Sequence, residues 1–252
     1  MTSSDQPVLL VTGGSRGIGA AVCLSAAANG WAVAVNYASN RSAADAVVTQ
    51  IEAAGGKAVA VEGDVGSEVG ISAIFAAVDQ TFGRLDGLIN NAGIVGMKAR
   101  IDEITAARLQ RMLEVNVSGS ILCAAEAVRR MSVRRGGKGG VIVNISSMAA
   151  VLGSAGQYVD YAASKGAIDT FTIGLSREVA EDGIRVNAVR PGIIDTGIHA
   201  SGGLPDRARD LAPSVPMKRP GTAQEIADAV LYLISPSASY ITGAILNVSG
   251  GR

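Results

Sequence analysis

Short runs rich in branched apolar residues alternate with longer alanine-rich segments along almost all of the 252 residues. Such runs are typical of strands buried on both faces of a parallel sheet, and the segments between them have the length of crossover helices. The pattern predicts an α/β fold: a doubly wound sheet of about seven parallel strands, flanked by helices on both faces. We expect strands near 8–12, 32–36, 57–61, 86–89, 140–145, 184–189 and 244–248. We expect helices near 17–29, 41–54, 67–82, 105–131, 158–181 and 223–234.

Chain length and charge limit the domain count and the partners. A chain of 252 residues is long enough for one large domain with a deep core and short for two independent ones, so we expect a single domain over residues 1–252. Lys and Arg number 22, as do Asp and Glu, which gives a formal net charge of +0. No global field therefore favours nucleic acid or an anionic membrane, and any anion site must be local.

The N-terminal sequence and the cysteines indicate where the protein works. The stretch MTSSDQPVLLVTGG has no basic segment ahead of a long apolar one, and no apolar run elsewhere is long enough to cross a bilayer. This predicts a cytoplasmic protein. Cys23 and Cys123 are the only cysteines, which favours buried small side chains over a disulfide framework or a metal site, and no metal is expected.

A glycine-rich corner, TGGSRGIG, joins the first predicted strand to the first predicted helix at residues 12–19. Its glycines are spaced as Gly13, Gly17 and Gly19. Glycine permits a tight turn and lets a pyrophosphate approach the backbone, while the first N–H groups of the following helix face the anion. Taken alone, the same residues could form an ordinary turn between a strand and a helix.

This corner, with three further motifs, resembles the short-chain dehydrogenase/reductase family, and in particular its single-domain, NADP-preferring sugar and 3-oxoacyl reductases. The other motifs are Asn90-Asn91-Ala92-Gly93, Tyr161-Ala162-Ala163-Ser164-Lys165 and Arg190-Pro191-Gly192. All four agree in order and spacing, and the resemblance covers nearly the whole chain. It implies a Rossmann-type sheet, a nicotinamide cofactor, a small carbonyl or alcohol substrate, and usually a homotetramer.

The resemblance also implies which residues bind the cofactor. Asp64 matches the position that accepts a hydrogen bond from the adenine amine, although a turn residue or a helix cap would explain it as well. Ile194 and Thr196 match the segment that grips the nicotinamide carboxamide. The full implied set is Gly13, Ser15, Arg16, Gly17, Ile18, Gly19, Asn36, Arg41, Asp64, Val65, Asn91, Ala92, Gly93, Tyr161, Lys165, Pro191, Gly192, Ile194 and Thr196.

The end of the second predicted strand favours NADP over NAD. Rossmann proteins that prefer NAD usually place Asp or Glu there, and the carboxylate would repel a 2′-phosphate. This strand ends instead in Asn36, while Arg16 and Arg41 could both reach a 2′-phosphate. NAD stays the alternative, because Arg41 could equally be a solvated residue at the start of a helix.

Tyr161 and Lys165 are four residues apart in a predicted helix, so both side chains lie on one face. Reduction of a carbonyl needs a proton donor, and a nearby ammonium would lower the tyrosine pKa from about 10. By itself, the spacing could be a simple amphipathic pair. The resemblance adds Ser147, with Ser146 as the alternative, to polarise the substrate oxygen. It also adds Asn116, which would interrupt its helix and hold a water that connects Lys165 to solvent.

The segment 195–220 is unusually long for an α/β connection, so we expect a mobile lid over the substrate there. His199, the only histidine, lies in it and is interpreted as an exposed loop residue rather than a substrate contact. Residues 94–97, residues 149–158 and the lid itself are interpreted as mostly small or apolar, which suggests an uncharged, moderately hydrophobic contact surface.

Together these features predict an NADP(H)-dependent oxidoreductase that interconverts a secondary alcohol and a ketone, with Tyr161 as acid and base. One alternative is an NAD-dependent alcohol or sugar dehydrogenase of the same family. A second is a dinucleotide-binding regulator without activity, which the complete set of Asn116, Ser147, Tyr161 and Lys165 argues against. A nucleotide-sugar epimerase shares the tyrosine and lysine pair but usually has a longer chain.

Overall fold

A central sheet of seven parallel strands organises the computed structural model, which describes residues 6–197 and 202–252. The strand order is β3-β2-β1-β4-β5-β6-β7. This arrangement confirms the predicted doubly wound sheet. The strands are β1 (Val8–Val11), β2 (Ala32–Tyr37), β3 (Ala58–Glu62), β4 (Gly87–Asn90), β5 (Gly140–Ile145), β6 (Ile184–Pro191) and β7 (Ile245–Val248).

Helices cover both faces of the sheet. They are α1 (Gly17–Ala28), α2 (Arg41–Ala53), α3 (Glu68–Phe82), α4 (Ala106–Leu113), α5 (Gly119–Met131), α6 (Ala149–Leu152), α7 (Val159–Glu178), α8 (Arg207–Leu211) and α9 (Ala223–Ile234). Side chains of α1, α2 and α9 form one apolar layer against the sheet, and side chains of α3, α5 and α7 form the other. Within the described part of the chain, no helix is both long and apolar enough to cross a membrane.

The strand β1 shows why the sequence has continuous apolar runs. Leu9 and Val11 pack into one layer, while Val8 and Leu10 pack into the other. Because successive strand residues point to opposite faces, a strand covered on both sides must be apolar throughout. Each fully buried side chain of this size contributes about 1.5–3 kcal/mol of hydrophobic stabilisation.

The sheet order places the carboxyl ends of four strands around one crevice. From β1 the chain builds outward through β2 and β3, then returns to place β4 on the other side of β1. Ligands of doubly wound sheets bind at such a reversal, outside the carboxyl ends of the strands. The segments that follow β1, β4, β5 and β6 carry the glycine corner, Asn91 to Gly93, Ser147, and Gly192 to Thr196 respectively.

The segment predicted as one helix near 105–131 is interrupted. The helix α4 ends at Leu113, a π-helical turn follows over Glu114–Ser118, and α5 begins at Gly119. Asn116 lies within the π-helical turn and is fully buried. The wider turn agrees with the helix interruption that the resemblance implied at this residue.

The described parts of the segment 195–220, which are residues 195–197 and 202–220, contain regular structure. Ile194 pairs with Gly221 in a β-bridge that brings its two ends together, and the helix α8 and a 3-10 turn at Ala212–Ser214 lie between them. Leu211 packs against Ile193 and Val215 in a small apolar cluster at its base. His199 lies outside the described residues.

Candidate active site

A cleft of about 360 Å³ opens at the carboxyl edge of the sheet. Its wall includes Ser147 from the segment after β5, and Tyr161 and Lys165 from α7. Ile18, next to the glycine corner, and Thr196, beyond β6, line the same cleft. The structure therefore brings the predicted proton-transfer residues together with two parts of the predicted cofactor site.

Ser147, rather than Ser146, faces the tyrosine. The Ser147 hydroxyl forms a hydrogen bond with the Tyr161 side chain. Its Oγ accepts a hydrogen bond from Ala149 N–H at 3.1 Å, which fixes it at the start of α6. Ser146 is 1% exposed, and its hydroxyl donates to the main-chain carbonyl of Lys165 at 3.3 Å. The choice between the two serines that the sequence left open thus has a geometric answer.

The ionisation of Tyr161 differs from the sequence prediction. Burial raises the pKa of Tyr161 above its ordinary value, and the hydrogen bond with Ser147 lowers it in part. Ser147, and not Lys165 as predicted, is the group that favours the phenolate. The reason is that Lys165 Nζ donates to the carbonyl oxygen of Ile145 at 2.7 Å and lies 5.7 Å from the centre of the tyrosine ring.

Lys165 is itself strongly affected by burial. Only 4% of the residue is exposed, and burial lowers the pKa of its ammonium from 10.5 to about 8, although the negative charge of Asp169 opposes this. With a pKa of about 8, the Lys165 side chain exists in both its charged and its neutral form near neutral pH. A lysine in this state can release and take up a proton at Nζ during turnover.

Asn116 joins the loop after β4 to α7. Its Oδ1 accepts from Ile94 N–H at 2.8 Å, and its Nδ2 donates to the Ile94 carbonyl at 2.9 Å. Nδ2 also donates to Ser164 Oγ at 3.1 Å, and Ser164 in turn donates to the main-chain carbonyl of Tyr161 at 2.7 Å. Asn116 thus holds the backbone on both sides of the cleft, a task that the sequence did not reveal.

The glycine corner fits a dinucleotide pyrophosphate. Gly17 has a φ of +54°, which favours glycine, and a Cβ atom added to Gly19 would lie 2.3 Å from the carbonyl oxygen of Gly13. Nothing in the described residues caps the start of α1 through a side chain, and its first turn is free of acidic residues. The N–H groups at this helix end can therefore bind an anion.

Asn91 locks this corner to β4. Its Nδ2 donates to the carbonyls of Thr12 and Gly13 at 2.8 and 3.0 Å. The N–H groups of Asn91 and Ala92 both donate to the Thr12 hydroxyl at 3.0 Å. The Asn-Asn-Ala-Gly motif therefore fixes the geometry of the glycine corner, and its last residue, Gly93, lines the cleft beside Lys165.

Two residues of the implied cofactor set are turned inward. Asn36 is 2% exposed, its Oδ1 accepts from Gly13 N–H at 3.1 Å, and its Nδ2 donates to the carbonyls of Val61 and Gly63. Val65 packs in the core layer of α3 and α5. Their side chains therefore shape the site rather than face a ligand, because their polar and apolar surfaces are already used inside the protein.

Asp64 is held from two sides. Its Oδ1 accepts from Gly66 N–H at 2.8 Å, and its Oδ2 forms an ion pair with Arg111 at 2.6 Å. Burial raises the pKa of Asp64, but these two contacts outweigh it and hold the pKa below its ordinary value. Asp64 therefore acts as a turn residue, which is one of the alternatives that the sequence left open. Its ion pair with Arg111 of α4 was not predicted.

The remaining residues of the implied set lie around the cleft, in the glycine corner or at the starts of α1 and α2. Arg16 is exposed just before α1, and Arg41 is exposed at the start of α2, where it pairs with Asp45 at 3.3 Å. The others surround the cleft or its glycine corner: Gly13, Ser15, Ile18, Ala92, Pro191, Gly192, Ile194 and Thr196.

Arg108 is a site residue that the sequence did not reveal. Its guanidinium binds both carboxylate oxygens of Asp160, at 2.7 and 3.1 Å, and donates to the Met97 carbonyl at 2.6 Å. Asp160 immediately precedes Tyr161 and is buried, so this bidentate pair fixes the start of α7. The partners are 52 residues apart, and no local pattern links them.

Comparisons with known proteins decide the family. A family model described as enoyl-(acyl carrier protein) reductase matches residues 13–252. The crystallised short-chain dehydrogenase/reductase from Serratia marcescens BCRC 10948 is 37% identical, with a TM-score of 0.89 over 97% of both chains. The chain belongs to the short-chain dehydrogenase/reductase family. This family of oxidoreductases binds nicotinamide dinucleotides, and the glycine corner of this member fits that ligand.

Two further proteins are similar to this short-chain dehydrogenase/reductase over nearly its whole length. An oxidoreductase from Escherichia coli K12, YgfF, named as uncharacterized, is 52% identical over 245 residues, which are 97% of this chain and 99% of that protein. The structure of the angucycline C-6 ketoreductase LanV with bound NADP is 34% identical, with a TM-score of 0.89 over 97% of this chain and 95% of that one.

Proposed function

We propose that this family member is an NADP(H)-dependent ketone reductase that forms a secondary alcohol. The observation that carries the proposal is the hydrogen bond between Ser147 and Tyr161 in a cleft shared with Lys165 and with the glycine-corner residue Ile18. A protein that only bound a dinucleotide would have no need for a phenol held beside a serine at that point. The similarity to LanV, a ketoreductase with bound NADP, supports the same reaction and cofactor.

The chain's own residues would control the proton and the substrate oxygen. When bound, the reduced nicotinamide supplies a hydride to the carbonyl carbon. Tyr161 Oη donates a proton to the carbonyl oxygen, and Ser147 Oγ hydrogen-bonds to that oxygen and stabilises its developing charge. Because burial raises the Tyr161 pKa, the hydroxyl is protonated at neutral pH, which is the state that reduction requires.

Lys165 and Asn116 complete the proposed proton path. Lys165 Nζ has a pKa of about 8 and supplies the proton that restores the Tyr161 hydroxyl after each turnover. Asn116 holds the backbone of Ile94, which lies between the cleft-lining residues Gly93 and Val95. As the family resemblance implies, Asn116 would also hold a water that connects Lys165 to solvent. Lys165 would also bind the ribose hydroxyls of the cofactor.

Preference for NADP rests on the surroundings of β2. The side-chain amide of Asn36 points inward and contacts the glycine corner. The end of this strand therefore has no carboxylate at Asn36 that would face the cofactor ribose. Arg16 lies in the glycine corner that Asn36 holds against β2, and Arg41 begins α2 shortly after that strand. Two guanidinium groups there attract a 2′-phosphate, although Glu62, bound by the Tyr37 hydroxyl at 3.3 Å, offsets part of this charge.

The double substitution Arg16→Ala and Arg41→Ala is expected to raise the KM for NADPH by about 10- to 100-fold and the KM for NADH by less than about threefold. The reason is that only the 2′-phosphate of NADPH uses these charges. The measurement is the initial rate of NADPH and NADH oxidation with a panel of aliphatic ketones, cyclic ketones and 3-oxoacyl thioesters.

The matched control is Arg135→Ala, an exposed arginine ahead of β5 at the opposite edge of the sheet, which should alter neither KM. Equal losses for NADPH and NADH would contradict the NADP assignment and favour an NAD-dependent dehydrogenase of the same family. The panel includes an enoyl thioester because of the description that the family model carries. Oxidation of NADPH with that thioester alone would contradict ketone reduction, and binding of NADPH without any turnover would favour a regulator.

A lid and an oligomer belong to the same proposal, within a single domain over residues 1–252. The Tyr158 hydroxyl donates to the Gly202 carbonyl at 3.1 Å, and this contact between the 195–220 segment and the cleft wall supports its role as the lid. Apolar side chains of α4 and α5, among them Leu113 and Ile121, are partly exposed, as is Leu246 on the terminal strand β7. These surfaces support a homotetramer built through the helix pair and the sheet edge.

A further inference from the structure

Arg207 is a cation that faces the cleft without a carboxylate partner. It is the first residue of α8, and its guanidinium lies 5.3 Å from the centre of the Tyr158 ring. Its hydrogen bond goes to a neutral group, the amide oxygen of Gln157. Over residues 6–197 and 202–252, Arg207 makes no ion pair, whereas Arg209 on the same helix pairs with Asp206 and Asp210.

A second guanidinium stands close to the first. Arg252 lines the same cleft, and its main-chain carbonyl accepts a hydrogen bond from the Ser249 hydroxyl at 3.0 Å. Burial lowers the pKa of Arg207, and the positive charge of Arg252 lowers it further, while Tyr158 opposes both. Two like charges held together at a partly buried surface repel each other, and an anion between them removes that cost.

The charged side chains that line the described part of the cleft are all cations. Its lining among the described residues contains the cations Lys165, Arg207 and Arg252 and lacks Asp and Glu altogether. The same lining contains the apolar residues Met148, Leu152 and Ala155. A molecule that matches it has a carbonyl for Tyr161, an apolar part and a negative charge for the arginines.

We infer that the ketone substrate carries an anionic group remote from its carbonyl, and that Arg207 and Arg252 bind this group. The inference rests on the proposed function and names the class of its substrate. It also corrects the sequence expectation of an uncharged contact surface, because Arg207 belongs to the lid segment on which that expectation was partly based, and Arg252 was not considered in it. A guanidinium fork suits a carboxylate or a phosphate equally well.

The test compares ketones that differ only in charge. The probes are 5-oxohexanoate and 7-oxooctanoate, their methyl esters, and the corresponding oxoalkyl phosphates. The unmodified enzyme is expected to show a kcat/KM at least about tenfold higher for the best acid or phosphate than for the matching ester. Arg207→Met, which keeps an apolar stem over Tyr158, should lower kcat/KM for the anions by about tenfold or more, through KM, and change the esters by less than about threefold.

Three comparisons make the outcome decisive. Arg252→Met should reduce the same preference for anions, and Arg209→Met, whose arginine is exposed and paired with acids, should leave it unchanged. Equal kcat/KM for acids and esters, or loss of both in Arg207→Met while its thermal unfolding stays normal, would overturn the inference. Calorimetric binding of 5-oxohexanoate and its ester to the protein loaded with NADP⁺ gives a second readout. If no ketone is turned over, the proposed function fails, whereas tighter binding of the acid that disappears in Arg207→Met would still support the anion site.

Discussion

Replacing Tyr161 by Phe is expected to lower kcat for ketone reduction by about 10²- to 10⁴-fold. The substitution removes one hydroxyl, which donates the proton to the substrate oxygen and contacts Ser147. The ring stays, so the packing of α7 and the shape of the cleft are kept. The dissociation constant of NADPH, measured by fluorescence titration, should change by less than about threefold.

The matched control for this prediction is Tyr232→Phe, because Tyr232 is about half exposed on α9 and distant from the cleft lining. It should keep wild-type kcat. A Tyr161→Phe enzyme that retained more than about a tenth of wild-type kcat would remove Tyr161 from the role of proton donor. Loss of NADPH binding together with kcat would show instead that the substitution disturbs the site.

Lys165→Met is expected to have two opposite effects. It should lower kcat/KM by about 10²-fold or more, because the proton path and the contact with the cofactor ribose are both lost. It should also raise the free energy of unfolding at pH 7. Burial lowers the Lys165 pKa from 10.5 to about 8, a penalty of roughly 3–4 kcal/mol at about 1.4 kcal/mol per pKa unit. The hydrogen bond to Ile145 recovers about 1 kcal/mol of it, which leaves a net gain of about 2–3 kcal/mol.

The pH dependence gives this prediction its sign. Between pH 8 and 10.5 the unfolded chain binds more protons at Lys165 than the folded protein does, so the stability of the natural protein rises with pH over that window. The advantage of Lys165→Met is therefore complete below about pH 8 and is lost as the pH approaches 10.5. Urea unfolding at pH 7, 9 and 10.5 measures it.

The control is Lys138→Met, an exposed lysine in the loop before β5, which should shift the free energy of unfolding by less than about 0.5 kcal/mol at each pH. A Lys165→Met protein that is less stable than the natural one at pH 7 would show that the buried ammonium is stabilised by contacts stronger than its hydrogen bond to Ile145.

The strands and most helices could be predicted from local pattern because the inner strands are covered on both faces. The alternation of β1 between two apolar layers is the physical origin of the continuous run Val8–Val11, and β2, β4 and β5 are buried in the same way. The interruption at Asn116 was accessible only through the family resemblance, since its sequence is compatible with a regular helix. The apolar pattern of a sequence indicates which residues are buried. It does not distinguish a π-helical turn from a regular α-helical one.

Contacts between distant elements set the parts of the site that could not be predicted. The sequence placed Tyr161 and Lys165 on one helix face, but whether the ammonium contacts the phenol depends on β5, which offers it the Ile145 carbonyl. Arg108 contacts Asp160, which is 52 residues away in the sequence, and Arg207 contacts Tyr158, which is 49 residues away. No local sequence pattern predicts contacts over such separations. The inward turn of Asn36 likewise depends on the acceptors at Val61 and Gly63.

Isotope transfer tests the central claim most directly. The enzyme is supplied with NADPH carrying deuterium at one face of C4, in separate reactions for each face, and with ketones from the panel, and the alcohol is analysed by mass spectrometry and NMR. We expect one deuterium on the carbinol carbon for each NADPH oxidised, from one face of the cofactor only, and none in reactions with Tyr161→Phe beyond its residual rate. Oxidation of NADPH that leaves no deuterium on the carbinol carbon with either face labelled, or that places deuterium on a former carbon–carbon double bond, would contradict a ketone reductase built on Ser147 and Tyr161.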